Sequence, residues 1–204
     1  MGWALNKGVA ALSPRFAILP YQQELPILTV CPSGPPVCQF GKIQEAINAA
    51  PEDVGPYYKP KAEIHVAPGL YEENLSIFKN VILKGAGKDR VFLRSPRRDY
   101  RSDTAIWVVS NPPGTLAHIE GFTIQGDIGV RLVGLFASAY IRNNRFESYE
   151  AAIFAEGAIV PGIIEGNTFA RGVQSAIMAY HIGRLKVLNN TFEGPEIATI
   201  NIEK

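Results

Sequence analysis

The feature that most restricts this chain is a hexapeptide that returns. Ile141-Arg142-Asn143-Asn144-Arg145-Phe146, Ile164-Glu165-Gly166-Asn167-Thr168-Phe169 and Val187-Leu188-Asn189-Asn190-Thr191-Phe192 each start 23 residues after the one before. A weaker copy, Ile119-Glu120-Gly121-Phe122-Thr123-Ile124, starts 22 residues before the first. A second segment recurs between these: Thr104–Ser110, Gly129–Val133, Ala152–Glu156 and Ala176–Tyr180. Parallel strands joined by a crossover helix need about a dozen or more connecting residues, and this period leaves no room for them. The chain must instead coil. Each strand then pairs in parallel with its counterpart one turn on, about 4.8 Å away. The predicted fold class is all-β: a single-stranded, right-handed parallel β-helix over residues 27–204, with residues 1–26 as an extension packed on it.

Coiling stacks equivalent residues into ladders. Asn144, Asn167 and Asn190 should form an asparagine ladder at a turn, where inward amides satisfy backbone groups that the bend strands. Ile124, Phe146, Phe169 and Phe192 should form an apolar stack in the core. Phe40, Ile43, Ala46, Ile47 and Ala50 fall at helical spacing, so residues 40–50 are predicted to form an amphipathic helix capping the lower end. No comparable lid follows the last coil, whose strand is expected near Ile197–Ile202. A tail-to-tail homodimer, or a stack through that coil, is therefore expected.

Composition narrows the partners. The 204 residues carry a formal net charge of +1 and 19% charged residues, so bulk charge points to neither nucleic acid nor a membrane surface. No run of 18 apolar residues could span a bilayer. Three His and two Cys give no zinc signature, and no resident cofactor is implied. Cys31 and Cys38 flank the turn-rich Pro32–Val37; a disulfide there closes easily and implies an oxidising, extracellular or cell-surface location. Two free thiols in a reducing compartment are the alternative.

Strand alternation separates inward from outward positions. With Ile106, Val130, Ile153 and Ile177 inward, an outward row of Trp107, Arg131, Phe154 and Met178 results. Val109, Val133, Glu156 and Tyr180 lie two residues on. Trp107, Arg131, Phe154, Glu156 and Tyr180 are candidates for binding a polysaccharide, because aromatic faces stack on sugar rings and charges orient them. The apolar residues of 1–25 compete for the same surface. Glu120, Arg142 and Glu165 should form a charge ladder on another sheet. Arg97, Arg98 and Arg101, in the charged loop 94–103, are candidate clamps for acidic sugars. Asp127, Glu147, Glu150, Glu193 and Glu196 lie on the turn side. If they converge, an acid/base pair becomes possible, or a Ca²⁺ site, the one metal considered.

The opening third of the chain resembles the pectinesterase-like β-helices of the pectin lyase-like superfamily. The residues that carry the resemblance are Thr29-Val30-Cys31, Phe40 with Ile43-Gln44-Glu45-Ala46-Ile47, Ile64–Glu73, and Val81-Ile82-Leu83-Lys84-Gly85-Ala86-Gly87. The resemblance implies the β-helix and a polysaccharide partner, acidic sugars among the candidates. In that family catalysis depends on two aspartates on adjacent coils, an arginine and glutamines. Here Glu150-Ala151 and Gln174-Ser175 fall where the aspartates belong, so methylesterase activity is not expected. Asp127, Arg131 and Glu150 are the remaining catalytic candidates. The expected function is a secreted or surface protein that binds polysaccharide. The alternatives are a carbohydrate-active enzyme with a non-standard acid and a self-associating structural module.

Overall fold

The computed structural model describes residues 24–52, 59–96, 103–109, 114–134, 137–157, 162–180, 184–193 and 200–203, with backbone only at 149 and 200–203. Its elements in chain order are β1 (Ile27–Val30), α1 (Ile43–Ala49), β2 (Ala62–Val66), β3 (Gly69–Glu72), β4 (Leu75–Ile77), β5 (Val81–Gly85), β6 (Val91–Arg94), β7 (Thr104–Val109) and β8 (Thr115–Glu120). There follow β9 (Thr123–Val133), β10 (Ala137–Arg142), β11 (Arg145–Glu156), β12 (Gly162–Glu165), β13 (Thr168–Phe169), β14 (Ser175–Tyr180), β15 (Leu185–Leu188), β16 (Thr191–Phe192) and β17 (Ile200–Glu203).

The described strands pair only in parallel, as a right-handed β-helix of about five turns. One sheet runs β1-β2-β5-β8-β10-β12-β15. The second is bent: β9 and β11 continue around a corner, so its first half runs β3-β6-β9-β11-β13-β16 and its second β4-β7-β9-β11-β14-β17. Three faces therefore enclose one core. The repeat is the pairing register: Ile119 pairs with Ile141, Ile141 with Ile164, and Ile164 with Val187. Sequence reading ended the strand near Ile124 and began another at Gly129. The structure instead carries β9 and β11 through the corner, because the ladder persists on both sides of it.

The turn between the first sheet and the bent one explains the repeated Asn. Gly121, Asn143, Gly166 and Asn189 all have positive φ, between 52° and 82°. Gly tolerates this left-handed conformation, and Asn visits it more readily than other side chains. The next residue points inward. Asn144 and Asn167 are fully buried. Each ladder amide donates to a carbonyl of the preceding coil: Asn144 to Ile119, Asn167 to Ile141 and Asn190 to Ile164, at 2.8–2.9 Å. Each amide oxygen accepts a backbone N–H of that coil, from Phe122, Asn144 and Asn167 respectively. Two residues further on, Phe146, Phe169 and Phe192 stack nearly parallel, with ring centroids 5.4 and 5.0 Å apart.

The helix closes the end near β1, and it is shorter than the spacing predicts. Phe40 bridges Val30 instead of joining it, because Phe40 N–H donates to the Thr29 carbonyl and Cys31 N–H donates to the Phe40 carbonyl. Ile43, Ala46 and Ile47 are fully buried in the core. The Glu73 carboxylate accepts the N–H groups of Ile43 and Gln44 at 2.8 and 3.0 Å. The Lys79 ammonium, only 5% exposed, donates to the carbonyls of Asn48 and Ala50. Opposite charges thus sit at the helix ends that favour them. The Gln44 amide accepts from Ser76 N–H and donates to its carbonyl, covering the free edge of β4. Cys31 and Cys38 are joined by a disulfide.

Candidate functional site

The residue that follows each member of the core stack points outward. Tyr71, Leu93, Ile124, Phe146 and Phe192 are followed by Glu72, Arg94, Gln125, Glu147 and Glu193. Glu72, Arg94, Gln125 and Glu147 stand in register on consecutive strands β3, β6, β9 and β11. They floor a groove of about 720 Å³, whose walls include Arg145, Arg171, Asp103 and Asp127.

The polar groups of this floor are paired with one another. Arg94 Nε donates to Gln125 Oε1 at 2.9 Å, and Gln125 Nε2 donates to Glu147 Oε2 at 2.7 Å. Arg145 donates from Nε to Glu147 at 2.9 Å and from both terminal nitrogens to the two Glu193 oxygens at 2.9 Å. Small Ala170, on the coil between, lets the guanidinium reach Glu193. Burial opposes ionisation of Glu147, but hydrogen bonds from Gln125 and Arg145 outweigh it, so its pKa is lowered. Arg145 likewise lowers that of Glu193, and the two carboxylates raise that of Arg145. Neither Glu147 nor Glu193 is therefore a proton donor near neutral pH.

Sequence reasoning grouped Asp127, Glu147, Glu150, Glu193 and Glu196 on the turn side, and the structure brings Asp127, Glu147 and Glu193 to this groove. Asp127 Oδ2 accepts the Asp103 N–H at 3.3 Å. Among the described residues, no three acidic, His or Cys side chains cluster closely enough to hold a metal. Glu150 is exposed on a bulge, where β11 sets one more residue than β9 between Ser148 and Ala151. It is not part of the groove walls. Glu196 and the arginines Arg97, Arg98 and Arg101 lie outside the described residues, as do residues 1–23. Glu72 was missed as a site residue, and Arg94 was read only as part of the charged loop 94–103. They stand on neighbouring coils, and the coil of Arg94 is joined to the next by an offset of 36 residues, Leu83 to Ile119, which breaks the 23-residue pattern before it reaches them.

The second candidate surface has its expected register: Trp107, Arg131, Phe154 and Met178 pair in sequence. The Arg131 guanidinium lies over both Trp107 and Phe154, 5.0 and 4.6 Å from their centroids. The cation engages one face of each ring. Tyr180 packs beside Phe154, with centroids 5.7 Å apart, and Glu156 is exposed. On the first sheet Arg142 stands between Glu120 and Glu165 and lies 3.3 Å from the latter. At the corner, Ala151 pairs directly with Ser175 on one neighbouring coil and Ile128 on the other. Among the described residues, no carboxylate stands in that row.

No protein-family model matches the chain, and no curated protein matches it in sequence. Solved structures do. Pectin methylesterase from carrot superposes with a TM-score of 0.54 at 16% identity, covering 81% of this chain and 64% of the enzyme. Pectin methylesterase PemA from Erwinia chrysanthemi superposes with a TM-score of 0.50 at 16% identity, covering 83% and 67%. The architecture is thus a pectinesterase-like parallel β-helix. At this identity the likeness is one of fold. The chain spans 64% of the carrot enzyme's length.

Proposed function

We propose that the protein binds a polysaccharide along the groove between Glu72 and Glu193 and does not hydrolyse methyl esters. The observation that carries this reading is the groove floor itself, a row of fixed donors and acceptors along the solenoid axis. Sugar hydroxyls both donate and accept, and a pre-paired row meets them without ordering loose side chains. Two further observations support binding over turnover. The row at Ala151 and Ser175 offers no carboxylate pair, and the groove carboxyls with shifted pKa are held ionised rather than poised as acids. The disulfide supports an oxidising compartment, outside the cell or on its surface.

The test is electrophoresis through gels containing dissolved plant polysaccharides, with methanol release from methylated pectin measured beside it. Retardation in at least one gel without methanol release is expected. Methanol release abolished by Glu150→Gln would overturn the non-catalytic reading.

A self-associating module is the second reading, favoured by exposed apolar side chains on the last described coil. Leu188 is 44% and Phe192 40% exposed, whereas Phe146 and Phe169 in the same stack are fully buried. Sedimentation should show a mass above that of one chain that falls when Phe192 is replaced by Asp. A monomer at high micromolar concentration removes this reading.

A further inference from the structure

Resting on the groove as the binding site, we infer that its ligand is a neutral polysaccharide rather than a polyuronate. Recognition of a uronate carboxylate calls for a guanidinium whose parallel N–H pair is free to form a two-point contact. Arg145 has no such pair to offer. Its two terminal nitrogens hold the Glu193 carboxylate and its Nε holds Glu147, all at 2.9 Å. Arg94 commits Nε to Gln125 and keeps a terminal nitrogen 3.9 Å from Glu72, a charge contact rather than a hydrogen bond, and Arg171 stands exposed at the wall, away from the paired floor.

Charge points the same way. The described walls carry the carboxylates of Glu72, Asp103, Asp127, Glu147 and Glu193 against the guanidinium groups of Arg94, Arg145 and Arg171, an excess of two negative charges. A polyanion entering the groove meets net repulsion, and at Arg145 it must break an existing ion pair to gain one. A neutral sugar faces neither cost. Each carboxylate has about four lone-pair directions, so hydroxyls can donate to Glu147 and Glu193 while Arg145 stays in place. Glu193 is thereby a specificity-determining residue: it occupies the Arg145 fork, the one pre-organised on the groove floor.

The experiment is titration calorimetry of the full chain at neutral pH and two salt concentrations. One titrant is polygalacturonate; the others are soluble galactan, xylan and β-glucan. The expected result is binding of a neutral polymer that salt barely changes, with polygalacturonate at least about tenfold weaker. Glu193→Gln, which releases the Arg145 fork and removes one negative charge, should strengthen polygalacturonate binding severalfold and make it salt-sensitive. Tighter, salt-sensitive polygalacturonate binding by the unmodified protein would overturn the inference while leaving the groove as a site; a clamp built by Arg97, Arg98 and Arg101 requires that order. Unchanged polygalacturonate affinity in Glu193→Gln would overturn the role of the fork. Failure of every polymer to bind would remove the polysaccharide reading itself.

Discussion

Replacing Asn167 by Ala tests the ladder that joins the coils. The side chain is fully buried. Its Nδ2 donates to the Ile141 carbonyl and to Asn190 Oδ1, and its Oδ1 accepts the Asn144 backbone N–H and the Asn144 side-chain amide. Alanine leaves the Asn144 N–H without a partner inside the core and takes one donor from the Ile141 carbonyl, which lies on the ladder with β12. A buried orphan costs about 1–3 kcal/mol and a lost hydrogen bond about 1 kcal/mol, so a loss of about 2–4 kcal/mol is expected. Asn190 makes equivalent bonds on the last coil but is only partly buried, and water can replace it there. Asn190→Ala should cost about 1 kcal/mol. Urea unfolding followed by far-ultraviolet circular dichroism gives both values as midpoint shifts at constant slope. Equal losses at the two sites, or a loss below about 1 kcal/mol at Asn167, would refute the view that buried backbone satisfaction fixes the Asn.

Further outcomes follow from the same structure. Native protein should resist alkylation at Cys31 and Cys38 and accept two alkyl groups after reduction, whereas two labels without reductant would exclude the disulfide. The folded pKa of Glu147 lies below its unfolded value, so its ion pair stabilises above the ordinary carboxylate range and is lost as pH falls through the folded pKa. Urea midpoints of the unmodified protein and Glu147→Gln should therefore differ at neutral pH and converge in acid; a gap that widens in acid would reverse the assignment. Gly166 has a φ of 65° and faces Asn143 Oδ1, so Gly166→Val should lower the thermal midpoint, and an unchanged midpoint would count against the left-handed turn.

The repeat made the scaffold legible because pairing in a solenoid repeats with the sequence. Once Ile141, Ile164 and Val187 align, the Asn ladder, the Phe stack and the outward row through Arg131 follow. The helix boundary was less legible. Phe40 fits the apolar spacing, but its backbone is claimed by β1 through long-range bonds that periodicity does not register. The site was legible in pieces. Asp127, Glu147 and Glu193 stand out as turn-side acids, yet their grouping depends on register across the corner and on a bulge that displaces Glu150. Glu72 and Arg94 join them across an irregular coil. A usable signal was present: each groove-floor residue follows a member of the inward stack. The stacking of Arg131 on Trp107 and Phe154 was not legible, because alternation gives the side a residue faces and not what its ring meets there.

The most direct test of groove binding compares two double substitutions by electrophoresis through a gel containing a polysaccharide that retards the unmodified protein. Gln125→Ala with Glu147→Ala dismantles the groove floor, and Phe154→Ala with Tyr180→Ala dismantles the neighbouring aromatic surface; circular dichroism confirms that each retains its β structure. Retardation should be lost in the first pair and kept in the second. Retention in the first with loss in the second would place the ligand on the aromatic surface and contradict the assignment.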